Sequence, residues 1–239
     1  TESDLKNVRT LITYIKNMML TEEELQKLEE ESDIRIAGIY REYCSQMRAQ
    51  NLMDYDDQML YAYKMLRMDP GLLAYFQKLY PYICVDEAQD TSKIQHAIIA
   101  LLATESGNLF MVGDEDQSIY GFRAAYPEAL LSFETHYPGA KVLLMEENFR
   151  SNANIVKAAD TFIQKNTLRH EKHMKPAREA GTDIREISLK SRKAEYVYLM
   201  RVAQECMTRE SSLQKNGMDA RKAETAVLYR DNECAIPLI

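Results

Sequence analysis

The sequence predicts an α/β fold in which a parallel sheet follows an all-helical segment. Three short apolar runs, at residues 82–85, 109–112 and 141–145, each end in polar or acidic residues, which is typical of buried parallel strands. Helical patterns over residues 93–102 and 127–135 lie between these runs and have the length that βαβ crossovers need. Together these features indicate a sheet built from successive βαβ units.

The helical opening is predicted from hydrophobic periodicity. Residues 4–67 carry apolar side chains at helical spacing, beginning with Leu5, Val8 and Leu11, and no proline interrupts them before Pro70. A second helix-then-strand succession follows the sheet, with helices predicted over 154–164 and 194–206 and extended segments over 183–189 and 225–229. Residues 172–181, rich in Lys, Pro and Gly, are predicted to form a loop.

Composition limits the function classes. The 239 residues are 46% hydrophobic, which is enough for a sizeable core, and the four widely spaced cysteines suggest neither a zinc site nor a disulfide framework. No apolar run approaches the roughly 20 residues that a membrane helix needs, so we expect a soluble, cytoplasmic protein without membrane contact. Because the chain starts at Thr1 and ends without a closing polar segment, we expect a piece of something larger.

The net charge of −7 argues against a free-standing nucleic-acid binder, because Lys and Arg contacts to phosphate usually supply most of that affinity. Any contact with DNA must therefore be local. His170 and His173 do not match the H-E-x-x-H zinc pattern, and we interpret both as surface residues.

The strand ends carry the candidate chemistry, since ligands in open α/β sheets bind beyond the carboxyl ends of the strands. Asp86 and Glu87 directly follow the first predicted strand, an arrangement that nucleotide hydrolases use to hold Mg²⁺ and activate the attacking water. Taken alone, the acidic pair is equally compatible with capping the helix that begins near Thr91.

Two further strand ends carry specialised side chains. Residues 113–123, with the sequence GDEDQSIYGFR, combine a glycine turn with amide, aromatic and guanidinium groups. After the third predicted strand, Phe149 stands beside Arg150. Arginine suits a γ-phosphate and an aromatic face suits a base, although a lone Arg150 would more often form a surface salt bridge.

These motifs, DEAQD at 86–90, GDEDQSIYGFR and ENFRS at 147–151, closely resemble motifs II, III and IV of superfamily-one DNA helicases of the UvrD/Rep/PcrA type. The resemblance extends to LMDYDD at 52–57 and AVLYRDN at 226–232, and so covers nearly the whole chain. It implies a truncated RecA-like fold of the P-loop NTPase type. Residues 1–50 would be a helical subdomain segment, 51–150 part of the first motor domain and 151–239 the start of the second.

The resemblance also implies a role for each matching residue at an ATP site. Asp86 would coordinate Mg²⁺ through water, and Glu87 would polarise the hydrolytic water. Gln117 would sense the γ-phosphate, Arg150 would contact that phosphate from the junction between the motor domains, and Phe149 would stack on adenine.

For DNA, the resemblance implies that Tyr120, Phe122 and Arg123 stack on or hold single-stranded bases, and that Arg230 and Asn232 contact DNA from the second motor domain. Base stacking of this kind is sequence-tolerant.

The chain departs from the family at two of these positions. Phe122 stands where close relatives have tryptophan, which should weaken stacking, and Ala124 stands where many have glycine, which puts the local backbone geometry in question.

The phosphate-binding loop G-x-x-x-x-G-K-[ST] is missing, because none of the eight glycines precedes a lysine. The resemblance therefore implies a parent protein that uses ATP and Mg²⁺ to move along single-stranded DNA and to unwind duplex junctions. We expect this fragment alone, without the missing parts of its motor domains, to be inactive.

Two rival interpretations remain. The helicase–nuclease class typically has lysine where this chain has Asp116, so Asp116 favours a simple helicase. A non-catalytic scaffold is the other rival, although it would have no physical need for the Asp86–Glu87 pair or for Arg150.

Overall fold

The computed structural model describes residues 1–32, 34–121, 124–215, 225–229 and 234, with the side chains of 209–215 left out. The chain forms two compact units, Thr1–Ala180 and Gly181–Ile239. The first unit holds the helical opening, both small sheets and most of the candidate site residues.

The helical opening contains five helices. They are α1 (Glu2–Asn17), α2 (Glu22–Glu31), α3 (Ile36–Ala49), α4 (Tyr55–Met68) and α5 (Pro70–Leu79). Capping boxes on Thr1, Thr21 and Asp54 begin the first, second and fourth helices, because each side chain satisfies a backbone N–H that the first turn leaves unpaired. The predicted all-helical opening is confirmed, and α5 extends it past Pro70, which occupies the first turn of that helix.

A buried lysine ties the first helix to the fourth. The Lys16 ammonium lies 2.7 Å from both Asp54 and Asp57, and its side chain is almost fully buried. Burial alone would lower the pKa of Lys16, but the two carboxylates outweigh it and raise that pKa above its usual value. Thr13 and Asn17 donate to Asp56 beside this pair. The acidic 52–57 motif thus holds α1 against the start of α4.

The first sheet pairs β1 (Ile83–Val85) with β2 (Leu109–Met111) in parallel, and α6 (Lys93–Ala103) is the crossover between them. Two predicted strands and their connecting helix are therefore confirmed. Helices α4 and α5 pack against α6, which links the helical opening to the sheet. The fold is a mixture of helices and small parallel sheets, as the α/β class requires.

The third predicted strand is wrong. Residues 141–145 form no strand, and Leu143 and Met145 are 82% and 86% exposed. An apolar run becomes a buried strand only when a neighbouring strand accepts its backbone hydrogen bonds, and the described residues place none beside it. The helix predicted over 127–135 is divided at Ser132 into α7 (Glu128–Leu131) and α8 (Phe133–His136).

A second two-stranded sheet follows. β3 (Glu147–Asn148) pairs in parallel with β4 (Lys175–Pro176), and the predicted helix between them is present as α9 (Ala153–Ile163). The loop predicted over residues 172–181 is therefore interrupted by β4. Asn152 caps α9 by accepting a hydrogen bond from the Ile155 N–H.

In the second unit, the predicted helix over 194–206 is present within the longer α10 (Arg192–Lys215). The extended segments predicted over 183–189 and 225–229 are not strands, and the described side chains of both are largely exposed. In the part of the chain that the structure covers, every helix is too short or too polar to cross a bilayer.

The Lys16 network leads to a stability prediction. Lys16→Met removes the cation and leaves Asp54 and Asp57 half-buried and unpaired, so we expect the free energy of unfolding to fall by about 3 kcal/mol. Urea denaturation followed by circular dichroism measures the change. Lys27→Met is the matched control, because the Lys27–Glu31 pair is exposed and 4.0 Å long; it should cost less than about 0.5 kcal/mol. Equal losses in the two variants would contradict a structural role for the buried lysine.

Candidate functional site

The pairing of β1 with β2 brings two of the predicted motifs together. Val85 faces Met111 in the parallel register, the Val112 N–H donates to the Val85 carbonyl (2.8 Å), and the Ala88 N–H donates to the Val112 carbonyl (2.9 Å). The residues after both strands therefore lie at one edge of the sheet. This is the edge at which open α/β sheets bind ligands.

Asp86 and Glu87 are exposed at this edge. One Asp86 oxygen accepts a hydrogen bond from the Glu87 N–H (2.9 Å), and Glu87 has a left-handed backbone with φ 49° and ψ 42°. Such a conformation costs a non-glycine residue on the order of 1 kcal/mol and is found most often at functional sites. Helix α6 is capped by Ser92 with Gln95, so the acidic pair is not used to cap it.

Gln89 joins the two motifs, and the sequence assigned it no role. Its side chain is buried, its Nε2 donates to Glu87 Oε2 (2.8 Å), and its Oε1 accepts from the Asp114 N–H (3.0 Å). The Ser118 hydroxyl also donates to the backbone carbonyl of Gln89. A buried amide between two strand-end motifs could have been suspected from the DEAQD pattern, but its partner Asp114 is 25 residues away and only the fold shows the contact.

Gln117 is held by the same loop. Its Nε2 donates to Asp114 Oδ2 at 2.7 Å, and Asp114 also accepts from the Asp116 N–H at the start of a short 3-10 helix, Glu115–Gln117. Glu87 and Gln117 are therefore each connected to Asp114, Glu87 through Gln89 and Gln117 directly. The predicted catalytic carboxylate and the predicted phosphate sensor belong to one hydrogen-bonded group.

At Gly113, neighbouring atoms lie close to the position that a side chain would occupy. A Cβ built on Gly113 would lie 2.8 Å from Gln89 Oε1, 2.8 Å from a Leu130 methyl carbon and 3.2 Å from the Ala88 backbone nitrogen. Real Cβ atoms essentially never come within 3.0 Å of another atom, so an added Cβ would displace the buried Gln89 amide or the Leu130 methyl group.

Three consecutive carboxylates, Asp114, Glu115 and Asp116, are paired with two cations, Arg169 and Lys172, of a distant segment, residues 169–172. The Arg169 guanidinium makes a two-pronged contact with Asp116, at 2.9 and 2.8 Å. Lys172 lies 2.7 Å from Asp114 and 3.0 Å from Glu115. Both cations are largely buried, which screens these pairs from solvent.

The pKa values of the carboxyl groups reflect this neutralisation. Burial alone would raise the pKa of Asp114, but hydrogen bonds from Lys172 and Gln117 hold that pKa below its usual value. Burial would likewise raise the pKa of Glu115, but the His170 N–H and Lys172 lower it. The lowered pKa values keep Asp114 and Glu115 ionised near neutral pH despite their crowding.

Asp116 also bears on the choice between helicase classes. Its carboxylate is 10% exposed and contacts both Arg169 and Lys172. A lysine at this position would place a third cation against the other two, a repulsive arrangement in a low-dielectric setting. The local structure therefore favours an acidic residue over a lysine at this position.

Phe149 and Arg150 lie on the exposed loop between β3 and α9. The Asn148 side chain accepts from the backbone N–H groups of Arg150 and Ser151, which shapes this turn. Phe149 is 67% exposed, and the Arg150 guanidinium makes no hydrogen bond or ion pair to any residue that the structure describes. In the described residues, no hydrogen bond, ion pair or ring contact joins either side chain to Asp86 or Glu87.

Among the residues predicted to contact DNA, Tyr120 is half-buried, whereas Phe122, Arg123, Arg230 and Asn232 lie outside the described residues. Ala124 is fully buried with φ 62°, the left-handed region that favours glycine.

Family comparisons agree with the motifs. Residues 1–138 match the UvrD/REP helicase N-terminal domain, and residues 143–238 match the UvrD-like helicase C-terminal domain. The chain belongs to the UvrD/Rep helicase family. The boundary between the two matches, at residues 138–143, places the acidic loop 113–117 in one matched region and its cations Arg169 and Lys172 in the other.

Individual relatives of this UvrD/Rep family chain are DNA helicases by name. The ATP-dependent DNA helicase PcrA of Staphylococcus epidermidis is 37% identical over 224 residues, which cover 92% of this chain. The protein of the same name from Staphylococcus aureus is 35% identical over an equal share. The chain spans 29% of the length of these relatives.

The donor atoms at the strand-end edge fit a magnesium ion. Mg²⁺ in phosphate sites is typically bound by one or two carboxylates together with phosphate oxygens and water. Asp86 and Glu87 are exposed carboxylates, and Asp86 has one oxygen that no described residue contacts. A closed protein cage is not expected there, and the described residues contain no group of three or more potential metal ligands.

We predict that the same glycine-to-alanine substitution has opposite effects on stability at Gly113 and at Gly38. Gly113→Ala should lower the free energy of unfolding by about 2 kcal/mol, because the added methyl overpacks Gln89 and Leu130. Gly38→Ala should raise it by about 0.5 kcal/mol, because Gly38 lies within helix α3 and its added Cβ would meet nothing within 4 Å. Urea denaturation compares both with the unmodified chain, and a neutral Gly113→Ala would refute the close approach.

The lowered pKa of Glu115 predicts an acid dependence. A carboxyl group whose pKa is lowered by folding stabilises the folded state at pH values above its usual pKa. This stability is lost as the pH falls through the lowered pKa of the folded state. Glu115→Gln should therefore cost about 1–2 kcal/mol at pH 7 and flatten the decline in stability between about pH 5 and pH 3.

Urea denaturation across this pH range measures the effect. Glu105→Gln is the control, because Glu105 is exposed in the loop before β2 and should leave the pH curve unchanged. Parallel curves for Glu115→Gln and the unmodified chain would show that the ionised carboxylate does not stabilise the fold.

Proposed function

We propose that this chain is part of an ATP-dependent DNA helicase that couples ATP hydrolysis to movement along single-stranded DNA and to duplex unwinding, in DNA repair or replication. The supporting observation is the hydrogen-bonded group at the strand-end edge, in which Glu87 and Gln117 are both connected to Asp114. Family membership and the names of the relatives favour the same activity.

In this proposal the sheet of β1 and β2 belongs to the first of two RecA-like motor domains. Residues 1–50 form a helical subdomain segment, residues 51–150 part of the first motor domain, and residues 151–239 the start of the second. The parallel β1–α6–β2 unit, with carboxylates after its first strand, is the kind of unit from which such domains are built. The described residues contain four cysteines, Cys44, Cys84, Cys206 and Cys234, that form no disulfide with one another, which is compatible with a cytoplasmic protein.

At the nucleotide, each exposed strand-end side chain has one task. Asp86 would hold Mg²⁺, and Glu87 accepts the proton of the hydrolytic water. The metal would supply positive charge that offsets the negative charge of the ATP phosphates. Gln89 holds the Glu87 carboxylate by donating to one of its oxygens, which leaves the other oxygen available for water. The left-handed backbone of Glu87 turns this side chain out of the strand direction.

Gln117, Phe149 and Arg150 complete the nucleotide contacts in this proposal. Gln117 hydrogen-bonds the γ-phosphate, Arg150 neutralises charge on that phosphate, and Phe149 stacks on the adenine ring. The exposure of Phe149 and the absence of described partners for the Arg150 guanidinium leave both side chains available for these contacts.

At the DNA, Tyr120, Phe122 and Arg123 hold single-stranded bases, and Arg230 and Asn232 contact the strand from the second motor domain. Stacking on each aromatic ring is worth about 1–3 kcal/mol per base. The net charge of −7 requires these contacts to be concentrated in a small area.

The decisive experiment uses the full-length protein that contains this chain. We expect it to hydrolyse ATP with stimulation by single-stranded DNA, and we expect Glu87→Gln to lower kcat by at least about 100-fold while ATP binding persists. Hydrolysis is measured by phosphate release, and ATP binding by a fluorescent nucleotide analogue. Glu105→Gln, an exposed carboxylate away from the site, should keep normal turnover.

The isolated 239-residue chain provides a second comparison. It lacks the phosphate-binding sequence, and we expect no DNA-stimulated turnover from it. If the full-length protein neither hydrolyses ATP nor responds to DNA, a non-catalytic scaffold is the better description. Turnover by the isolated chain that Glu87→Gln abolishes would instead show that the missing segments are dispensable.

A further inference from the structure

Lys172 is not among the residues that the motifs assign to the nucleotide or to DNA, yet it contacts the loop that carries Gln117. It lies on the segment between α9 and β4, and its side chain is 12% exposed. Its ammonium group is 2.7 Å from Asp114, 3.0 Å from Glu115 and 3.4 Å from Asp116. A single cation therefore contacts all three carboxylates of the loop.

Asp114 divides its carboxylate among three partners. Oδ1 accepts from the Lys172 ammonium at 2.7 Å and from the Asp116 backbone N–H at 3.2 Å, and Oδ2 accepts from Gln117 at 2.7 Å. The Asp116 N–H belongs to the same loop, so Lys172 is the partner that holds this carboxylate from outside the loop, and with it the direction from which Oδ2 holds the Gln117 amide. The Asp114 backbone N–H at the same time donates to Gln89, whose amide holds Glu87. Asp114 is therefore the residue through which Lys172 reaches the site.

Arg169 and His170 keep the lysine-bearing segment in place. The Arg169 guanidinium grips Asp116 and also donates to the Lys172 carbonyl at 3.2 Å, while the His170 N–H donates to Glu115 at 2.8 Å. The segment is thus attached to the loop at three successive carboxylates. Without the cations, three adjacent negative charges in a partly buried loop would repel one another and displace it.

We propose that Lys172 is a positioning residue for ATP hydrolysis, which orients Gln117 towards the γ-phosphate by fixing the carboxylate of Asp114. This inference rests on the proposed function. It also gives residues 169–172, which lie in the region matched to the C-terminal family domain, a direct connection to the loop at 113–117 in the N-terminal match. A movement of this segment would be transmitted to Gln117 through two hydrogen bonds, from Lys172 to Asp114 and from Gln117 to Asp114.

The test uses the full-length protein and three lysine variants. Lys172→Met removes the charge at similar length, and Lys172→Arg keeps the charge with altered geometry. Lys175→Met is the matched control, because Lys175 lies three residues away, is 65% exposed, and pairs with Glu146 instead of the loop. DNA-stimulated kcat, KM for ATP and the thermal unfolding midpoint are measured for each.

We expect Lys172→Met to lower kcat by roughly 10- to 100-fold with KM for ATP changed less than about three-fold, because a misplaced group loses transition-state contacts before it loses ground-state binding. Lys172→Arg should recover part of kcat, and Lys175→Met should match the unmodified protein. A purely structural lysine would instead lower the unfolding midpoint and leave kcat per folded molecule unchanged.

A double-mutant comparison identifies the route of the effect. If Lys172 acts through Asp114 on Gln117, Lys172→Met should cause little further loss of kcat in a Gln117→Ala background. Full additivity of the two losses would overturn the proposal, as would normal kcat in Lys172→Met. Should Lys172→Met fail to fold, the same comparison with Lys172→Arg, expected at a few-fold loss, decides between these outcomes.

The controls separate this inference from the proposed function. If the unmodified full-length protein shows no DNA-stimulated hydrolysis, the proposed function itself fails. If it hydrolyses ATP and loses activity with Glu87→Gln, but Lys172→Met behaves like Lys175→Met, only the role of Lys172 is refuted.

Discussion

Backbone hydrogen bonds between Val85, Ala88 and Val112 set the register of the parallel strands β1 and β2, and the position of each candidate nucleotide residue on this sheet follows from that register. They put the turn after Val85 beside the turn after Val112. Gly113 permits this approach because no Cβ separates its backbone from Gln89. A shift of one strand by one residue would turn its side chains to the opposite face of the sheet and move the two motifs out of alignment.

The polar residues that follow strands β1 and β2 are held by charge interactions as much as by hydrogen bonds. The partly to largely buried carboxylates of residues 114–116 are tolerated because Arg169 and Lys172 offset most of their charge, and the lowered pKa values of Asp114 and Glu115 reflect that balance. A second charged group, Lys16 with Asp54 and Asp57, plays the equivalent part in the helical opening. In both places, acidic motif residues are held by a cation from a distant part of the chain.

Local sequence patterns predicted the helices and strands whose signals, such as hydrophobic spacing, lie within the element itself. Helices α1 to α4, α6, α9 and α10 were predicted, as were strands β1 and β2, because amphipathic spacing and apolar runs are local properties. The run at 141–145 has the same apolar character but is not a strand. A strand is completed by hydrogen bonds to a neighbour, and that neighbour is not a property of the run itself.

The chemical groups at the strand ends can be read from the amino-acid sequence, and the motifs at 86–90, 113–123 and 147–151 were sufficient to recognise the family. Three features became visible with the folded chain: Gln89 bridges Glu87 to Asp114, Glu87 has a left-handed backbone, and Lys172 contacts the acidic loop. These features could not be predicted because the groups involved lie far apart along the chain or depend on the folded backbone. Lys172 and Asp114 are 58 residues apart, and a contact of this kind exists only after folding has closed the intervening chain.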